Sequence, residues 1–266
     1  MVKRLYVAGV VLVAVSVIVL AGSVARADFE SGWYAYQQGN FGGALKEWRP
    51  LAESGDPRAQ FNLGAMYDEG KGVAADPVEA VKWWKRSAEQ GFVLAQQNLS
   101  KSLIAGDGIP QDFEAAVKWL RRASEQGSAS SQYGLGKMYS YGLGVPKDNV
   151  RAFSWIMKAA QQGNVRAQYN LGKMYRDGMG TGSDLGKAVD WYRKAAEKGY
   201  AKAQAGLSIR YAEGEGVDRD MVEALVWASR AAEQGLPRAQ HYRKKLLERM
   251  SAGEISEATQ RSRGGN

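Results

Sequence analysis

The chain has 266 residues, a net charge of +8 and no cysteine. The missing cysteines exclude disulfides, a cysteine nucleophile and a Cys/His zinc site within this sequence. Its single histidine, His241, sits near one end and supports no Ser-His dyad, and the moderate basic charge points to an anionic or mixed-charge partner.

The first residues read as an export signal. Lys3 and Arg4 form a positive n-region, Leu5 to Leu20 is almost wholly apolar, and Ala25-Arg26-Ala27 is an A-x-A cleavage site. This pattern predicts a signal peptide over 1–27, cleaved after Ala27, and a periplasmic or secreted protein. An uncleaved anchor is the alternative, since about 20 apolar residues span a bilayer. The A-x-A site favours cleavage, and so no stable membrane insertion of the mature chain. No cysteine follows the apolar stretch, which excludes a lipoprotein anchor. Loss of Lys3, Arg4 and Arg26 would lower the net charge from +8 to +5. An exported protein of that charge is not expected to bind nucleic acid. Its stability must come from packing, for which eight Trp and thirteen Tyr are available.

Residues 28–55 read as an N-terminal capping hairpin. Phe29 to Gln38 pairs with a helix carrying Ala44, Trp48 and Ala52 across a tight Gly39-Asn40 turn. Pro50 is expected to kink the second helix.

From residue 56 the sequence repeats. The stretch AQYNLGKMYRDGMGTG starts at Ala167, and related stretches start at Ala59, Ala95, Ser131, Ala203 and Ala239, each 36 residues from the next. A fixed period of this size marks a repeat array. In the copy from Asp56 to Gly91, Asp56-Pro57 is an N-cap with proline at the first helical position. Ala59, Leu63, Met66 and Tyr67 then make an apolar stripe at helical spacing. Gly64 beside the stripe predicts close approach of a neighbouring helix, because a mid-helix glycine otherwise costs about 1 kcal/mol. Gly70 suits the left-handed helix end. Asp76-Pro77-Val78-Glu79 is a capping box that opens a second helix through Trp83, Trp84 and Ala88.

The copies fall at 56–91, 92–127, 128–163, 164–199 and 200–235, within an array spanning 56–238. Fixed columns run through them: Ala80, Trp83, Asp76 and Gln60 each recur at intervals of 36. The Trp83 column is expected to fill inter-helix gaps. The Gln60 column is expected to satisfy a backbone group of the adjacent connection, since buried polar groups need partners. Residues 239–260 read as C-terminal capping helices, the last from Glu254 to Gln260, and 261–266 as a frayed tail.

The pattern A-Q-x-x-L-G-x-M-Y, G-x-G-V, D-x-x-x-A-x-x-W and A-A-E-Q-G resembles the Sel-one-like repeat (SLR) family, a relative of tetratricopeptide repeats. The resemblance covers essentially the whole chain after the leader. It implies an all-α fold, a right-handed α-solenoid of stacked antiparallel helix pairs, used mainly as an adaptor for protein–protein contacts. Ser100 and Ser208 replace the glycine of L-G, Leu103 replaces Tyr, and Leu185-Gly186-Lys187 lacks the capping glutamate. These departures are expected to loosen packing locally.

No catalytic, cofactor-binding or metal-ligating residue emerges. The five G-x-G elements each follow a helix rather than a strand, so they read as turns and not as phosphate-binding loops. Asp68-Glu69 and Glu213 with Glu215 read as solvated carboxylates. His241 reads as an ordinary surface or inter-helix residue.

A groove lined by first helices is the expected binding surface, because the positions off the core stripe vary between copies. Its candidates are Gln97, Lys101, Tyr133, Lys137, Tyr141, Tyr169, Asn170, Lys173 and Arg176, together with Asn98 and Asp177. Tyrosine interleaved with lysine and arginine suits a protein partner presenting an acidic peptide segment, or an anionic glycan. The competing reading is that the tyrosines shield seams between repeats. Functionally, the resemblance implies an exported scaffold in regulation or assembly at the cell envelope. The alternative is a cell-wall binder or weak hydrolase of the β-lactamase-like SLR kind.

Overall fold

A computed structural model describes residues 27–264. The expected leader, with its positive n-region and apolar stretch, lies outside the described residues except for Ala27. Among the described residues there are fourteen helices and no strand. The first two are α1 (Phe29–Gln37) and α2 (Phe41–Glu53). The repeats follow as pairs: α3 (Pro57–Glu69) with α4 (Pro77–Glu89), α5 (Val93–Ala105) with α6 (Phe113–Glu125), and α7 (Ala129–Tyr141) with α8 (Asn149–Gln161). Next come α9 (Val165–Asp177) with α10 (Leu185–Glu197), and α11 (Ala201–Glu213) with α12 (Met221–Glu233). The chain closes with α13 (Pro237–Leu247) and α14 (Ala252–Gly264). Each helix through α12 packs on the next in the chain, and α14 folds back onto α12. The result is an all-α solenoid of stacked helix hairpins. Helix α2 runs through Pro50 without interruption. Among the described residues no helix is long and apolar enough to cross a membrane.

Local chemistry explains the regularity. Asp76, Asp112, Asp148, Asp184 and Asp220 cap the five second helices, each accepting the backbone N–H three residues on at 2.9–3.0 Å. The copy at Asp184 lacks the glutamate, as do those at Asp112 and Asp148, and all three are capped as well as the others, because the aspartate supplies the acceptor alone. The first helices end on a left-handed glycine, as at Gly142 with φ +70°. The second glycine of each G-x-G has another task. A Cβ on Gly144 would overlap the Phe113 carbonyl, the first helical residue of the preceding repeat's second helix. Gly108, Gly180 and Gly216 meet Pro77, Asn149 and Leu185 in the same way. The G-x-G element is therefore a turn whose second glycine lets two repeats touch backbone to backbone.

Gly64 does face a close neighbour. A Cβ there would lie 2.6 Å from the Trp84 ring, and Gly172 stands in the same relation to Tyr192. Ser208 fits where glycine is usual because its partner position is the small Ala228, and its hydroxyl donates to the Ala224 carbonyl at 2.6 Å. The tryptophan column meets its expectation only at its two ends, where Trp83 and Trp227 are buried in the core. Trp119, Trp155 and Trp191 are only half-buried. The gap between helices is filled by the next residue, Trp84, Leu120, Ile156 or Tyr192, since one step along a helix turns the side chain by about 100°. Each residue of the Trp83 column instead lies beneath a cation three residues later. Arg86, Arg122, Lys158, Lys194 and Arg230 sit 4.1–4.9 Å from the ring centres.

The glutamine column ties the stack together. Gln60 donates from Nε2 to the Ala52 carbonyl in the last turn of α2, at 3.0 Å. Its Oε1 accepts from Gln90 at the C-cap of α4, at 2.8 Å. One buried amide thus joins three helices. Gln96, Gln132 and Gln204 repeat both bonds, to Ala88, Ser124 and Ala196 and from Gln126, Gln162 and Gln234. Gln168 makes only the first, to Ala160, and its buried Oε1 has no partner. The reason is Lys198, which stands where the other repeats have glutamine and donates to the Gly163 carbonyl instead.

The C-terminal end is more ordered than its sequence predicts. Ser251 and Glu254 form a reciprocal capping box, and α14 continues past Gln260 to Gly264. Arg261, expected in a frayed tail, bonds Glu223 of α12 at 2.9 Å and Glu257 at 2.5 Å. That bond to α12 holds the last turn against the array.

Two stability outcomes follow. Gly144→Ala puts a side chain into a backbone carbonyl and at a positive φ, and should cost about 3 kcal/mol or more. Gly182→Ala, whose Cβ meets nothing within 4 Å, should stay within about 0.5 kcal/mol of the parent in the same urea titration. Lys198→Gln restores a donor to Gln168 and should raise stability by about 1 kcal/mol. A neutral or destabilising result would show that the amide relay is not what holds this junction.

Candidate ligand hollows on the first helices

Ala59, Leu63 and Met66 of α3, and their equivalents, point into the core. The positions between them on α5, α7, α9, α11 and α13 border two hollows. The first, of 490 Å³, lies between α5, α7 and α9. Gln97, Lys101, Tyr133, Lys137 and Tyr141 all border it, so one site gathers five residues that the sequence spreads over 45 positions. Arg166 joins them from α9, and Ile104, Leu120, Met138 and Leu143 supply apolar surface. Lys137 lies 5.8 Å from the centre of the Tyr141 ring, which is 67% exposed.

The second hollow, of 730 Å³, lies between α9, α11 and α13. Tyr169 and Arg176 border it, with Lys202, Arg238 and Lys245. Ile209, Ala228, Leu236 and Tyr242 supply apolar surface, and the exposed His241 stands at its edge. Arg176 is held by Asp177 through bonds of 2.6 and 2.8 Å, a pairing that keeps the Asp177 carboxyl below its usual range.

The remaining candidates have structural work. Asn170 lies between the hollows, donating to the Tyr133 hydroxyl at 3.0 Å and to the Arg166 carbonyl at 2.8 Å. Tyr169 packs against Tyr192 and Tyr200, with ring centres 5.7 and 5.3 Å away. Burial pushes the phenols of Tyr133 and Tyr169 up, and that of Tyr192 to about 12. These tyrosines therefore close seams between repeats and wall the hollows at once. Lys173 borders neither hollow.

A smaller hollow of 210 Å³ brings Asp68 and Asp107 together with Asn98 and Lys101. Asp68 is exposed, as expected of a solvated carboxylate, yet partial desolvation and then the charges of Asp107 and Glu69 push its carboxyl above the ordinary value. Among the described residues no group of three or more His, Cys, Asp or Glu is placed to hold a metal ion. What the site offers chemically is apolar surface bordered by cations.

Arg166, Lys202, Arg238 and Lys245 are not among the residues that the sequence pattern singles out. A signal for three of them exists. The column Arg58, Leu94, Ser130, Arg166, Lys202, Arg238 turns uniformly basic only in its last three members.

This architecture defines an α-solenoid built from helix-hairpin repeats whose variable side chains gather on the first helices. The profile of the Sel1 repeat matches residues 57–92, 93–128, 129–164, 165–200 and 201–236. The chain belongs to the Sel1 repeat family. It is 39% identical to the protective antigen c5321 of uropathogenic Escherichia coli, with a TM-score of 0.81 over 86% of this chain and 50% of that one. A Sel1 repeat protein from Oxalobacter formigenes is 30% identical, with a TM-score of 0.78 over 87% of this chain and 96% of that one. The chain thus spans half the length of the E. coli protein. No curated protein matches it. Sel1 repeat scaffolds typically mediate protein–protein interactions and are generally non-enzymatic.

The raised Asp68 carboxyl carries a pH signature. An acid whose pKa is higher in the folded state contributes less stability as pH rises through that value. Asp68→Asn should therefore raise Tm at neutral pH and leave it unchanged near pH 3, where the carboxyl is protonated in both states. Equal melting curves at both pH values would remove the repulsion from the account.

Proposed function

We propose that this chain is an exported scaffold that binds a protein partner at the cell envelope through the first-helix surface around α5, α7 and α9. One observation carries the reading. The invariant columns of glutamine, aspartate and glycine are consumed in holding the stack, whereas Lys101, Lys137 and Arg166 gather at one hollow and form no ion pair with the rest of the described chain. Cations that form no internal ion pair among the described residues are free to be matched by a partner's carboxylates. The envelope location rests on the leader pattern, and the role as a scaffold on family membership.

The test uses a photo-crosslinking residue at Tyr141 in the full-length protein in its own host. A discrete protein adduct in the envelope fraction is expected, reduced about tenfold or more by Lys101→Glu with Lys137→Glu. Lys173→Glu should leave the adduct near its parental level, because Lys173 lies outside both hollows. A cytoplasmic location would overturn the export reading. Absence of any protein adduct from a folded, normally located protein would overturn the scaffold reading.

A further inference from the structure

The two hollows share an origin. The position occupied by Asn62, Asn98 and Asn170 in α3, α5 and α9 is Gly134 in α7 and Gly206 in α11. Each glycine borders one hollow. Asn170 fills this space by reaching Tyr133, and beside Asn98 only the small 210 Å³ hollow is left. Where glycine stands instead the helix surface is bare, and the two larger cavities lie beside it. The two glycines are 72 residues apart, two whole repeats, so the hollows are equivalent places on alternate repeats.

Their chemistry is similar, although only one cation is supplied from the same repeat position. Arg166 at the first hollow and Arg238 at the second occupy the same repeat position, each supplied by the next repeat's first helix. Each hollow has apolar surface, Leu120 and Met138 in one, Ile209 and Leu236 in the other. Each also has three cations that form no ion pair among the described residues, Lys101, Lys137 and Arg166 in one, Lys202, Arg238 and Lys245 in the other, where the fourth, Arg176, is paired with Asp177. No acidic residue borders either. The second hollow adds the Tyr242 hydroxyl, which is buried there without a hydrogen-bond partner.

Resting on the scaffold reading above, we infer that the first-helix surface is a two-point receptor for an acidic segment of a partner protein. Two bulky apolar side chains of that segment seat beside Gly134 and Gly206, and the carboxylates around them meet the unpaired cations. Apolar surface with a cationic border selects that combination. Apolar side chains alone would leave the cations unmatched, and acidic residues alone would leave the hollows unfilled. Between the hollows Asn170 closes the surface, so the segment crosses one repeat without a deep anchor.

The substitutions that test this come from the chain's own repeats. Gly134→Asn and Gly206→Asn install the side chain that three equivalent positions already carry. Fluorescent peptides of Glu and Ser carrying two, one or no Phe, with the two Phe set at increasing separations, serve as probes against the full-length protein. At one separation the two-Phe peptide should bind about tenfold tighter than the one-Phe peptide, and a Lys-Ser version should not bind. Either Gly→Asn variant should reduce the two-Phe peptide to one-Phe affinity. The double variant should reduce it to the level of the Phe-free peptide. A Cβ on Gly134 approaches a Leu120 methyl at 3.0 Å, so Arg166→Glu probes the same hollow should that variant not fold. Affinity that follows charge alone, equal for the Phe-free peptide and for an anionic glycan, overturns the inference, as does no binding of any peptide. A partner crosslinked at Tyr141 in equal yield from the parent and the double Gly→Asn variant would leave the scaffold reading standing and remove the two-point receptor.

Discussion

A helix hairpin of this length cannot bury its own apolar face, so everything in this molecule depends on each hairpin finding the next in one register. Apolar contact alone does not set register, because a stripe of alanine and leucine can slide. The buried glutamine amide can set it. Its nitrogen reaches the last-turn carbonyl of the preceding helix and its oxygen receives the C-cap amide of its own hairpin. Away from that alignment a buried amide loses both partners, at a cost of about 1–3 kcal/mol for each group left unsatisfied. The aspartate caps and the backbone contacts at the second G-x-G glycine act on the same alignment, since both fix where a second helix begins.

This division of labour separates stability from recognition. The residues that recur at intervals of 36 are spent on the stack. Those that vary lie between the core positions of the first helices and are released from that duty. Among the described residues Lys101, Lys137 and Arg166 form no ion pair, whereas Arg58 and Arg176, also on first helices, pair with Asp56 and Asp177. Tyr133 and Tyr169 belong to both classes, because a half-buried ring can close a seam and still present an edge to a hollow.

Much of the fold was legible in the sequence because its determinants are local. The capping aspartates, the left-handed glycines and the apolar stripe each act within one helix. Gly64 and Gln60 were legible by a second route, since a mid-helix glycine and a recurring buried amide each demand a partner. The identity of that partner was not legible. Trp83 and Trp84 differ by one step around a helix, and only the packed array decides which of them fills the gap. The hollows were hidden for a similar reason. Gly134 and Gly206 are visible substitutions of asparagine, yet a missing side chain makes a cavity only where flanking helices leave it uncovered. Arg166 and Arg238 reach the hollows from the next repeat, beyond what a copy-by-copy reading joins. At the C-terminus the extra turns of α14 depend on Arg261 meeting Glu223, a contact spanning 38 residues.

The touch between repeats at Gly144 and its equivalents is made by main chain on both sides, so it does not depend on which side chains either repeat carries. A junction of that kind accepts any correctly capped neighbour. Whole units can be duplicated, deleted or exchanged with this backbone contact intact, provided that the glutamine and the tyrosine seams find their partners in the new neighbour. The number of repeats is therefore a free evolutionary variable, and the binding surface lengthens or shortens in steps of one hairpin, each step bringing its own unused positions.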